Sequence, residues 1–164
     1  MRVAIIGTGY VGLTTGVCLS FIGHHVSCLD TDESKIKALQ GGNIPIYEPY
    51  LTDLIEEART NLTFTSNYAE AIPGAEVVFI AVGTPSRRGD GHADLSYVYA
   101  ASREIAAAVD GFTVVITKST VPVGTGDEVE RLIRQTNPSA DVAVASNPEF
   151  LREGAAIRDF KFPD

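Results

Sequence analysis

The chain is short of positive charge. Over 164 residues, 13 lysines and arginines stand against 21 aspartates and glutamates, a formal net charge of −8. Neutralising phosphates supplies most non-specific affinity for nucleic acid, so this deficit argues against nucleic acid or an anionic membrane as a partner. Arg87-Arg88 and the scattered lysines do not reverse it. No apolar run approaches the ~20 residues that a membrane span needs. The apolar stretch after Met1-Arg2 is broken by glycines and threonines and followed by no small-residue cleavage pattern, which excludes a signal peptide. Cysteine is equally scarce. Cys18 and Cys28 are too few for a disulfide framework and lack metal-ligand spacing, so they read as buried small hydrophobes of a cytoplasmic protein. His24-His25 falls in a turn where adjacent side chains diverge, and His92 lies in a Gly-Asp-Gly turn, so no metal site is expected. Internal repeats and low-complexity segments are absent too.

What is present suits one domain. With 45% hydrophobic residues the chain can bury about 70% of the surface that its unfolded form exposes. The most informative segment is Ile5-Ile6-Gly7-Thr8-Gly9-Tyr10-Val11-Gly12, which follows an apolar run and opens an apolar-faced helix (Val11, Thr15, Cys18, Leu19, Ile22). In a dinucleotide fingerprint the first glycine permits the strand-to-helix turn, the second lets backbone approach a pyrophosphate, and the third lets helix press on strand. An acid about 20 positions on completes the pattern, and Asp30 closes the next apolar run, Val26–Leu29. A carboxylate there accepts from ribose hydroxyls and repels a 2′-phosphate, which favours NAD over NADP. Its competing role, capping the next helix, is already offered by Thr31 and Asp32.

Strand candidates are Arg2–Ile6, Val26–Asp30, Glu76–Val82, Thr113–Thr117 and Val142–Ala145, apolar without alternation, as parallel strands buried on both faces should be. Leu62–Thr65 is a short extra candidate. Helical patterns cover Ser34–Gln40, Pro49–Arg59, Ser96–Val109 and Gly126–Gln135. The alternation predicts an α/β fold: a Rossmann-type, doubly wound parallel sheet in three α/β/α layers, of strand order 3-2-1-4-5. Ligands then sit beyond the carboxyl ends of the strands. There the third strand runs into Val82-Gly83-Thr84-Pro85-Ser86, the fourth into Lys118-Ser119-Thr120-Val121-Pro122, and the fifth into Asn147-Pro148-Glu149-Phe150-Leu151-Arg152-Glu153-Gly154. In the last loop Asn147 is a credible N-cap and Pro148 a first helical residue, which predicts Glu149 and Glu153 on one helix face. Arg87-Arg88-Gly89-Asp90-Gly91 reads as a mobile turn without chemistry.

Together with Pro45-Ile46-Tyr47-Glu48-Pro49 and Asp94-Leu95-Ser96-Tyr97-Val98, these segments resemble, in order and over essentially the whole chain, the N-terminal domain of the UDP-glucose/GDP-mannose dehydrogenase family. The resemblance implies a four-electron oxidation of a nucleotide sugar. Its C6 alcohol passes through aldehyde, thiohemiacetal and thioester to a uronic acid, and two NAD are reduced. It makes residues 1–164 the NAD-binding domain. Glu149 matches an acid/base glutamate of the hydrolytic step, Glu153 one near nicotinamide and substrate, and Thr120 a threonine that helps hold the catalytic water. Glu149, Phe150, Leu151, Arg152 and Glu153 match the segment facing the nucleotide sugar. For the cofactor it implies Gly7, Thr8, Gly9, Tyr10, Val11, Gly12, Asp30, Lys35, Val82, Gly83, Thr84, Pro85, Ser119, Thr120 and Glu153.

Two lysines stay open between readings: Lys35 as a ribose contact or an ordinary first-turn helix residue, Lys118 as a site residue or a solvated strand end. For Gly83, close backbone approach to a cofactor competes with a plain strand-ending turn. Tyr50 departs from the family, which usually has glycine there. The resemblance also implies that the family continues past Phe162-Pro163-Asp164 into a sixth strand, a long helix, a substrate domain with the nucleophilic cysteine, and a dimer interface. Cys18 and Cys28 lie at core-facing positions and cannot stand in for that thiol. The chain is accordingly expected to be a truncated form, a proteolytic core or half of a split enzyme that binds NAD weakly without turnover. The fingerprint alone also fits the cofactor domain of a hydroxyacyl-CoA or phosphogluconate dehydrogenase, or a non-catalytic NAD-sensing module.

Overall fold

The computed structural model describes residues 1–87, 89 and 91–162. Arg88 and Asp90 of the expected mobile turn, and Pro163 and Asp164, lie outside the described residues.

Strand β1 (Arg2–Ile6) leads through the glycine turn into helix α1 (Tyr10–Phe21), which returns to β2 (His25–Leu29). Next come α2 (Glu33–Gln40), α3 (Leu51–Glu57), β3 (Leu62–Thr65), the single turn α4 (Tyr68–Ala71) and β4 (Val77–Ile80). The chain continues with α5 (Ser96–Ala108), β5 (Thr113–Thr117), α6 (Thr125–Thr136), β6 (Val142–Ser146) and α7 (Ala156–Lys161). Every strand pair is parallel, in the order β3-β2-β1-β4-β5-β6.

The expected order 3-2-1-4-5 holds once Leu62–Thr65 takes third place. The Glu76–Val82 candidate is then the fourth strand, beside β1 rather than at the far edge. The sixth place, which a five-strand count puts beyond Asp164, is filled by Val142–Ser146. Leu62–Thr65 is easily undercounted because it is an edge strand, buried only at Leu62, with Thr63 exposed. Such a strand lacks the continuous apolar run of its two-sided neighbours.

Successive residues of β1 serve opposite layers. Val3 and Ile5 pack with Leu13 and Val17 of α1, Ile36 and Leu39 of α2, Leu51 and Leu54 of α3 and Ile157 of α7. Ala4 and Ile6 pack with Val98 and Ile105 of α5 and Val129 and Ile133 of α6. This is why the strands read as unbroken apolar runs. Burying each large side chain contributes roughly 1.5–3 kcal/mol, and the two cores hold all the strand carboxyl ends at one edge. Cys18 and Cys28 are fully buried in the first of these cores. Burial pushes their thiols up to about 11 and about 12, the nearby Lys161 pulling Cys18 slightly back.

Tyr50, the departure from the family pattern, carries φ 67 and is 75% exposed. A side chain in this left-handed region costs about 1–2 kcal/mol that glycine avoids, partly offset by glycine's greater freedom when unfolded. A Tyr50→Gly variant should therefore be more stable by about 0.5–1 kcal/mol, raising Tm by a few degrees at this chain length. An unchanged or lower Tm in a thermal melt would show that the tyrosine ring has offsetting contacts.

Candidate dinucleotide site

The turn between β1 and α1 shows why three glycines are spaced as they are. Gly7 adopts φ +103, and a Cβ there would lie 2.6 Å from the Ala81 carbonyl oxygen at the end of β4. A Cβ on Gly12 would sit 1.9 Å from the Gly7 carbonyl oxygen, and one on Gly16 2.4 Å from the Cys28 sulfur. Gly9 differs, for a Cβ there meets nothing within 4 Å. Two positions are thus closed by protein, and the middle one faces open space. Gly9 is also the N-cap of α1, without a side-chain cap bond and without an acid in the first turn. The first amides and the positive end of the helix dipole are left for an anion.

Asp30 stands at the end of β2 beside that turn. Its Oδ2 accepts from the Thr8 amide at 2.9 Å, the Thr8 hydroxyl at 2.9 Å and the Lys35 ammonium at 3.4 Å, while Oδ1 accepts from the Asp32 amide at 3.0 Å. Burial alone raises the carboxyl, but the donors from Thr8 and Asp32 outweigh it and hold Asp30 below the usual carboxylate range. Asp32, not Asp30, caps α2, accepting from the Ser34 and Lys35 amides.

Three hollows follow one another along this edge. The first, about 570 Å³, is lined by Gly7, Gly9, Asp30, Lys35, Val82, Gly83 and Pro85 among others. The second, about 230 Å³, shares Gly9, Val82 and Gly83 with it and adds Tyr10, Val11, Thr84, Lys118, Ser119, Thr120 and Glu149. The third, about 580 Å³, shares Lys118 with the second and adds Asn147, Phe150, Leu151 and Arg152. Most of the sequence-predicted residues therefore line neighbouring hollows along one edge of the sheet, whereas Thr8, Gly12 and Glu153 line none of the three. A further hollow of about 390 Å³ around Arg2, His25 and Asn61 lies at the amino-terminal edge of the strands and collects none of them. The loops are pinned to the sheet: the Ser119 hydroxyl donates to Val82 O at 2.7 Å and the Thr84 hydroxyl to Thr120 O at 3.0 Å. Among the described residues, no group of three or more His, Cys, Asp and Glu could hold a metal ion.

The helix expected from Pro148 is not there. Residues 147–152 have no regular structure, residues 153–155 form a turn, and α7 begins only at Ala156. Asn147 caps no helix; its side-chain oxygen instead accepts from the Lys118 ammonium at 3.1 Å. Glu149 turns its carboxylate onto the Leu151 amide at 2.8 Å, a local bond that competes with helix formation. Gly154 then takes φ +83. The two acids consequently do not share a helix face. Glu149 is half-buried and lines the second hollow, whereas Glu153 is exposed and lines none of the three.

Lys118 is the residue that sequence reasoning undervalues. It is buried, 7% exposed, at the junction of the second and third hollows. Burial lowers its ammonium below the ordinary lysine range, with Glu149 partly opposing the shift. The signal available was its position directly after an apolar strand, where a charged residue has no route outward if the next loop folds over it.

The glycine geometry separates two variants. Gly12→Ala should destabilise the protein by several kcal/mol, because its methyl meets backbone. Gly9→Ala should leave Tm within about a degree and weaken dinucleotide binding tenfold or more, about 1.4 kcal/mol, by calorimetry. Equal loss of stability in both would contradict this division. For Lys118, whose folded value is depressed, the unfolded chain holds more protons as pH approaches the ordinary 10.5, so stability rises with pH in that window. Urea midpoints should therefore show the wild type gaining on a Lys118→Met variant from neutrality towards that pH. Parallel curves would mean that the ammonium is solvated.

Against this geometry, comparisons with known proteins are specific. All 164 residues match the family described as "UDP-glucose/GDP-mannose dehydrogenase family, NAD binding domain", over residues 1–164. A UDP-glucose 6-dehydrogenase from Rhizobium meliloti is 67% identical over 166 residues, covering 100% of this chain and 38% of that protein. The UDP-glucose 6-dehydrogenase TuaD of Bacillus subtilis is 49% identical, covering 96% of this chain and 35% of its own length. The chain thus spans under two-fifths of these curated relatives. Among solved structures, a ternary complex of GDP-mannose dehydrogenase from Pseudomonas aeruginosa superposes with TM-score 0.94 at 39% identity, covering 99% of this chain and 39% of that one. The UDP-glucose dehydrogenase of Pyrobaculum islandicum gives TM-score 0.93 at 40% identity, with 99% and 39% covered. A glycine turn with open helix amides and a match along the whole chain lead to one conclusion: the chain belongs to the UDP-glucose/GDP-mannose dehydrogenase family and constitutes its NAD-binding domain.

Proposed function

We propose that this domain serves a nucleotide-sugar 6-dehydrogenase of the UDP-glucose type, which oxidises the sugar C6 alcohol to the uronic acid with two NAD. The observation that carries the reading is the row of three hollows with shared walls along the carboxyl ends of the strands, from Asp30 past Gly9 and Gly83 to Lys118 and Glu149. NAD, when bound, accepts the hydride at each of the two oxidations. The chain's own part is to hold and to orient. The α1 amides take the pyrophosphate across the open face of Gly9, and Asp30 with Lys35 takes the adenosine ribose. Val82, Gly83, Thr84, Pro85, Ser119 and Thr120 would hold the rest of the cofactor.

At the far end Glu149 handles the proton of the hydrolytic water, which Thr120 helps to place, and Lys118 keeps a positive charge beside that carboxylate. Phe150, Leu151 and Arg152 face the nucleotide sugar. Glu153, outside the hollows and exposed, is assigned to the same loop surface near the nicotinamide end. The nucleophilic cysteine comes from a substrate domain beyond these residues, since Cys18 and Cys28 are both buried in the core. We place the protein in the cytoplasm, on the support of two unpaired cysteines and of the finding that no helix among the described residues is long and apolar enough to cross a membrane. Dimerisation belongs to the longer protein.

Calorimetry tests the cofactor half of this reading. NAD should bind, NADP at least tenfold more weakly, and Asp30→Ala should lose about as much, ~1.4 kcal/mol or more. No heat with NAD at millimolar concentration would overturn it. For the longer protein, two NAD reduced per UDP-glucose consumed is the expected ratio. A ratio of one would restrict the chemistry to the alcohol–aldehyde step.

A further inference from the structure

The segment between α2 and α3 contains a motif, Pro45-Ile46-Tyr47-Glu48-Pro49, that the site as described does not use. Tyr47 is 85% exposed, yet Glu48 beside it is only 6% exposed. No salt bridge pairs the buried Glu48 carboxylate among the described residues; three hydrogen-bond donors surround it instead. The Tyr10 phenol donates to Oε2, the Gly154 amide to the same oxygen at 2.8 Å, and the Ile157 amide to Oε1 at 3.4 Å. The Gly154 amide also lies 3.1 Å from the Tyr10 oxygen, and the phenol 3.2 Å from Arg152 O. Burial first, then the bond to Glu48, pushes the Tyr10 phenol up to about 12, so it stays a donor throughout the physiological range.

These contacts join three distant parts of the chain. Tyr10 is the first residue of α1, and its amide is one of those left open for an anion. Gly154 lies at the end of the loop that carries Glu149 and Glu153, and Ile157 is the second residue of α7, which follows it. That loop has no helix or strand of its own over residues 147–155; its beginning is held by the Asn147 amide on Thr117 O at 2.9 Å, and its far end reaches α1 through Glu48. We propose that Glu48 is a positioning residue: its carboxylate clamps the acid-bearing loop to the first turn of the dinucleotide helix, and Tyr10 transmits cofactor binding to that loop. The second half rests on the NAD reading above. Whatever fixes the Tyr10 amide fixes the backbone from which the phenol projects, and so the geometry of the oxygen that Gly154 and Glu48 share.

Backbone hydrogen exchange by NMR tests both halves. Without ligand, Glu48→Leu should accelerate exchange at Gly154 and Ile157 at least tenfold while Val78 and Val115 in the core are unchanged. Glu48→Gln, which keeps one carbonyl acceptor, should give an intermediate effect and serves where the leucine variant does not fold. Uniform acceleration through the core, or none at the loop, would overturn the clamp. With saturating NAD, the wild type should show at least threefold slower exchange at those two amides. With NAD saturating for the variant as well, Tyr10→Phe should lose most of that slowing. Undiminished slowing in Tyr10→Phe would overturn the transmission. If the wild type takes up no NAD, the cofactor reading and the transmission built on it fail together, and the ligand-free comparison still judges the clamp.

Discussion

A methyl group on Gly12 would come within 1.9 Å of the Gly7 carbonyl oxygen, and the cofactor end of the sheet is arranged around the space that this missing methyl leaves. Because α1 can lie directly on the turn that precedes it, its open amides stand over the carboxyl ends of β1 and β4 rather than out in solvent. Gly16 continues the same close approach one turn later, against Cys28 of β2. Asp30, at the end of that strand, is thereby brought within hydrogen-bond distance of Thr8. Backbone contact, more than side-chain packing, fixes where the dinucleotide edge is.

The same edge holds the charges that a protein interior ordinarily excludes. Glu48 and Lys118 are both buried, the one surrounded by donors and the other beside Asn147 and Glu149. Burying an ionised group costs several kcal/mol unless hydrogen bonds compensate it, and replacing it by an apolar residue is often neutral or stabilising. Two such groups at one edge of the sheet are what a site under chemical constraint looks like, whereas the described ion pairs, such as Lys37–Glu33, are mostly exposed and contribute little.

The fold was legible because its signals are local and redundant: apolar runs of strand length, helical periodicity between them, and glycines whose spacing has a steric meaning. Leu62–Thr65 was the weak point, since an edge strand with one neighbour does not need two apolar faces. The groove was legible in composition but not in shape. Asp30, Gly9 and Gly83 stand as the pattern requires, yet the Pro148 segment carries every helix-start signal and is not a helix. Its fate is decided by long-range contacts, Lys118 on Asn147 and Glu48 on Gly154, that no window of sequence contains. Likewise the burial of Lys118 depends on a loop 29 residues away.

Thr8 binds Asp30 twice, through its amide and through its hydroxyl, and is itself only 1% exposed. The residue between the first two glycines is thus a structural partner of the acid proposed to read the ribose. On that proposal, discrimination between the two nicotinamide cofactors is a property of a coupled pair. Exchanging the acid alone, as in an attempt to retune the protein for the phosphorylated cofactor, would strand a buried hydroxyl and an amide without an acceptor. Any such redesign has to begin inside the glycine turn.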